Sequence, residues 1–151
     1  MRPTVEEQLL GTCRILEQVV APCVGDAYAR TMLDGLVANL RMLTAALPAV
    51  PGFLQDDNRA TAALLAQLQP AVAPDLAAAM DTALQSAEPQ ATHLAALEAR
   101  NRELRELLSQ ALGGTELTPA LREAVLAHMA SRAARSPMRY VSTAPSPPKA
   151  P

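Results

Sequence analysis

The soft ligands and nucleophiles of this chain are two cysteines, Cys13 and Cys23, and two histidines, His93 and His128. No pair of them stands at the i, i+4 or two-residue-gap spacing that brings two metal ligands together, so neither a zinc nor a haem site is expected. Cys13 falls on the apolar stripe of a predicted first helix, where a free thiol behaves as a small hydrophobe, and a packing role is expected of it. Cys23 lies in the turn that follows and is expected to be exposed and oxidisable, with no neighbouring base to make it catalytic. His128 is expected beside the apolar face of the last helix, satisfied or partly exposed. The carboxylates are scattered over helix surfaces. Their closest cluster, Asp56-Asp57-Asn58, reads as the capped start of a helix, because acids and short polar side chains suit that end. There is no glycine-rich phosphate loop, no Gly-x-Ser-x-Gly elbow and no nucleotide fingerprint, so these three enzyme classes have no support and no cofactor is expected.

The most specific polar signal is Asn101. It stands in a seam of Leu94, Leu97, Asn101, Leu104, Leu108 and Ala111, spaced by alternating threes and fours as in a coiled coil. A single Asn at such a position fixes the register of paired helices, within the chain or across a homodimer. The seam spans little more than two heptads, and the preferred reading leaves Asn101 facing water at the edge of a bundle. If the seam is instead an interface, its partner-facing residues are Leu97, Asn101, Leu104 and Leu108. Glu98 with Arg102, and Arg102 with Glu106, are expected to pair along the outer face of the same helix.

The elements that must position these residues are helices. Across 151 residues there are 31 Ala and 23 Leu, both strong helix formers, and few β-branched or aromatic side chains. One Phe, two Tyr and no Trp leave almost no stacking platforms for bases, and the net charge is only −2, so a nucleic-acid partner is not expected. The two cysteines make no disulfide framework, the opening residues lack the pattern of an export signal, and no apolar run approaches the roughly 20 residues that span a bilayer. A cytoplasmic protein without a membrane span is the expectation.

Thr4 followed by Glu7 predicts a capping box and a first helix over about 5–21, with Val5, Leu9, Cys13, Leu16 and Val20 on one face. Asp26 predicts the cap of a second helix with a long apolar stripe of Tyr28, Met32, Leu36, Leu40, Leu43 and Leu47; Gly35 inside it suggests that another backbone packs close. Residues 48–52 read as a turn and a third helix as starting near Asp57 or Asn58, with Thr61, Leu64, Leu65 and Leu68 buried. Pro74 and Asp75 open a short fourth helix, the seam helix runs over about 90–112 to Gly113-Gly114, and Thr118-Pro119 opens a last one carrying Leu121, Val125 and Met129.

Arg2 to Leu10, the helix pair up to Arg41-Met42-Leu43, and the stretch from Arg132 to Ser136-Pro137-Met138-Arg139-Tyr140 resemble a family of small uncharacterised bacterial α-helical proteins. Members of that family are encoded beside aminoglycoside-phosphotransferase-like kinases and acyl-CoA dehydrogenases. The resemblance carries no catalytic residue. It implies a partner, either a kinase-like enzyme or an acyl-CoA enzyme.

The reading is an all-α protein, an irregular antiparallel bundle of five or six helices forming one domain over 1–142, whose core is expected from helices one, two, five and six. Residues 143–151, rich in Pro, Ala and Ser, are expected to be a disordered tail. With no nucleophile, base and orienter to assemble, the expected function is a non-catalytic accessory or interaction protein. The alternative is a helical bundle that binds a small molecule or an acyl chain in an aliphatic core.

Overall fold

Short polar side chains start three of the helices where their spacing predicts. The structure, a computed structural model, describes residues 2–137. It is 84% helical, without a strand among the described residues, and forms an all-α helical bundle. The expected tail lies outside the described residues. The contacts gather into two compact units, one running to Leu47 and one over Pro48–Ser136, where the sequence reads as a single helical domain.

In the first unit Thr4 Oγ1 accepts from the Glu7 amide at 3.1 Å and Glu7 Oε2 accepts from the Thr4 amide at 2.8 Å, the reciprocal capping box that opens α1 (Val5–Ile15). The helical path then widens into one π turn, Leu16–Val20, and tightens into a 3-10 turn, Ala21–Cys23, around Pro22, which has no amide to give the preceding turn. Asp26 caps α2 (Ala27–Ala46), its Oδ1 accepting from the Ala29 amide at 2.7 Å. Arg30 closes the connection by donating to the carbonyls of Ala21 and Val24, at 2.6 and 3.2 Å. α1 packs along α2, with Cys13 and Val37 buried and Arg41 paired to Glu17 at 2.7 Å. Cys13 is thus a packing residue, and Cys23 is exposed, both as expected.

The second unit contains α3 (Val50–Leu68), α4 (Pro74–Gln85), α5 (Leu94–Gly114) and α6 (Pro119–Arg135). α3 begins seven residues before Asp57, so the predicted turn over 48–52 is in part its first turn. Pro51 there lacks only an amide that no intrahelical carbonyl would accept. Asp57 and Asn58 consequently lie mid-helix rather than at a cap. The core joins Leu64, Leu65 and Leu68 of α3 to Met80 and Ala83 of α4, to Leu104, Leu107, Leu108 and Ala111 of α5, and to Val125 of α6. This corrects the expected roles of helices one and two, which build the first unit instead. Arg100 reaches from α5 to the end of α4, donating to the Ala83 carbonyl where the helix dipole is negative, and pairs with Glu103 at 3.0 Å. That pair, and neither of those expected for Arg102, is the ion pair found along α5 among the described residues.

Candidate functional site

Asp57, Asn58 and Thr61 share one face of α3, being one residue and one turn apart, and all three are sealed from solvent. Burying a carboxylate and an amide carries a heavy desolvation cost unless partners are supplied. Here α5 and α6 supply them. Asn101 Nδ2 donates to Asp57 Oδ2 at 2.8 Å and to Asn58 Oδ1 at 2.9 Å, while Asn58 Nδ2 donates to the Leu97 carbonyl at 3.3 Å. Arg132 Nε gives Asp57 Oδ2 a second charge-assisted bond at 2.8 Å, and its guanidinium carbon stands 6.0 Å from the centre of the Phe53 ring. Asp57 Oδ1 has no partner. Thr61 Oγ1 lies 3.3 Å from His128 Nε2.

This polar knot corrects two expectations. Asn101 is 7% exposed and joins α5 to α3, instead of facing water at the bundle edge. Leu97, Leu104 and Leu108, offered with it as a partner-facing seam, are buried within this chain, where α5 packs on α3. The register-fixing role of a core Asn therefore operates between two helices of one unit. No spacing signal could have joined Asp57 to Asn101, because they stand 44 residues apart on different helices.

His128 is half-buried, as expected. Desolvation by burial holds its pKa below the ordinary value of about 6.5, outweighing the opposite pull of the Asp57 carboxylate, and Arg132 and Arg135 add to the lowering. A hydroxyl, an imidazole and a carboxylate thus meet, but the hydroxyl of Thr61 and the carboxylate of Asp57 are both out of reach of a substrate. The arrangement locks three helices together and is not a nucleophilic triad. Among the described residues no three His, Cys, Asp or Glu side chains come close enough to hold a metal ion.

No family model, no curated protein and no solved structure matches this chain.

The exposed chemistry of the first unit is apolar. The stripe predicted to bury α2 is instead largely open: Tyr28 is 74% exposed, Met32 54% and Leu36 48%, each one helical turn from the next. Val37, one residue on, is 4% exposed and makes the contact with the unit's interior. Gly35 lies on the open face, and a Cβ added to it would meet nothing within 4 Å, so no described backbone of the first unit packs there as the sequence suggests. Ile15 and Val19, one turn apart on the helical path before α2, are also exposed. By length and composition the run Ala27–Ala71 contains a stretch apolar enough to cross a membrane.

Proposed function

We propose that this chain is a non-catalytic accessory protein that docks a protein partner on the open face of α2. The observation that carries this reading is the helically spaced row Tyr28, Met32 and Leu36, left uncovered while Val37 is buried beside it. A row of large apolar side chains kept in water marks a binding surface more often than an accident of folding. Gly35 adds an opening for close approach of a second helix, since it costs α2 roughly 1 kcal/mol relative to Ala and meets no packing partner among the described residues of the first unit. Arg30, Asp34 and Arg41 lie on the side of α2 away from the row, so the face itself is apolar, and a protein partner in the cytoplasm is proposed on the strength of the resemblance. The partner implied by the resemblance is a kinase-like or an acyl-CoA enzyme, with a second copy of this chain as the other occupant to be tested.

Co-purification from the source cell, read by mass spectrometry, compares the tagged chain with a Tyr28→Ser, Met32→Gln, Leu36→Gln variant whose helical circular dichroism is intact. One stoichiometric enzyme recovered with the first and lost with the second is the expected result. Equal recovery by both removes α2 from the interface, and recovery of nothing by either, with the chain monomeric by light scattering, removes the accessory role.

A further inference from the structure

α5 and α6 leave between them a cleft of about 230 Å³ in the second unit. Its apolar wall is made by Leu108 and Leu112, one turn apart on α5, and by Met129 of α6. Its polar rim carries Arg105, Ser109, His128 and Arg132, the last two again one turn apart, and no carboxylate lines it among the described residues. The two arginines differ in how they are held. Arg105 is exposed and makes no ion pair or hydrogen bond among the described residues. Arg132 is fixed from behind: its Nε is committed to Asp57, a carboxylate with 0% exposure, and its guanidinium carbon stands 6.0 Å from the centre of the Phe53 ring. That leaves both terminal nitrogens of Arg132 without a partner among the described residues, on a guanidinium already oriented by a buried acid.

We infer that this cleft binds a small organic anion, a carboxylate with a short aliphatic tail, whose charged end meets Arg132 and Arg105 and whose tail lies on Leu108, Leu112 and Met129. Each part of that assignment answers a feature of the walls. A planar, pre-oriented guanidinium presents two parallel donors to a carboxylate, and little ordering entropy is lost in doing so. The aliphatic wall of Leu108, Leu112 and Met129 rewards a tail. At about 230 Å³ the cleft lies below the usual drug-sized range, which limits the tail to a few carbons. The buried Asp57 also gains a purpose beyond joining helices, because it aims the group that would recognise the ligand.

Titration of the full chain with hexanoate, followed by amide chemical shifts, tests this directly. Hexanol serves as the neutral probe of equal length and inorganic phosphate as the tailless anion. Hexanoate is expected to perturb residues around Leu112, His128 and Met129 with saturation, and both controls are expected to bind at least about tenfold more weakly. Arg105→Gln, at an exposed site outside the polar knot, should weaken hexanoate by on the order of tenfold with the spectrum otherwise unchanged. Arg132→Met, checked for folding, should weaken it further. Hexanol binding as well as hexanoate, phosphate binding as well as hexanoate, no saturable shift, or undiminished affinity in Arg105→Gln would each overturn the assignment.

Discussion

Asp57 makes sense only with its neighbours. A carboxylate cut off from water is tolerated because Asn101 and Arg132 both donate to one of its oxygens. Asn101→Ala removes both bonds of its amide, leaving Asn58 Oδ1 buried and unmet and Asp57 Oδ2 held by Arg132 alone, so urea unfolding should show a loss of about 2–3 kcal/mol. A loss below about 1 kcal/mol would mean that the knot is not closed in solution. His128 gives a second handle. Its folded pKa is depressed, chiefly by desolvation, so the folded chain binds that proton less readily than the unfolded one. The contribution is therefore whole above about pH 6.5 and is lost as pH falls from there through the folded value. Stability measured against pH should decline more steeply below about 6.5 in the parent than in His128→Gln. Identical slopes would contradict the burial of the imidazole. None of these partnerships was legible in the sequence. Spacing along α5 marks Asn101 as special, but what lies opposite a residue is set by packing, and the preferred reading of a wet bundle edge failed for that reason.

Most helices were legible, because caps and prolines act locally. Thr4, Asp26 and Thr118 each accept from the amide three residues on, as their positions predict. The start of α3 was not legible, since Asp57-Asn58 resembles a cap and Pro51-Gly52 resembles a turn, and only tertiary contacts show that the acid belongs to the interior. The same logic applies to Gly35. It sits mid-helix, without positive φ and with free space about its missing Cβ, so Gly35→Ala should raise the melting temperature of the isolated chain, by the equivalent of about 0.5–1 kcal/mol. On the proposed docking role the same substitution weakens partner recovery, because it fills the opening that a second helix would use. A Gly35→Ala variant that melts lower would restore the close backbone packing expected from sequence. On α5, Leu104 is fully buried in the core, and Leu104→Ala should cost about 2–5 kcal/mol by the same unfolding assay. An effect within about 0.5 kcal/mol would contradict that core.

Across the whole chain, the all-α class follows from an alanine- and leucine-rich composition with few β-branched residues, and it was legible for that reason. The partition into two units was not, because a helical stripe announces that a face is apolar without saying what covers it. α2 illustrates the point: Leu36 and Val37 are adjacent and both apolar, yet only Val37 reaches the interior. The functional proposal rests on that contrast. Parallel urea unfolding of Leu36→Gln and Val37→Gln tests it most directly. Leu36→Gln is expected to stay within about 0.5 kcal/mol of the parent, while Val37→Gln loses about 2 kcal/mol or more by placing an amide in the interior. A Leu36→Gln variant as damaged as Val37→Gln would mean that the face is closed within the chain and not open for a partner.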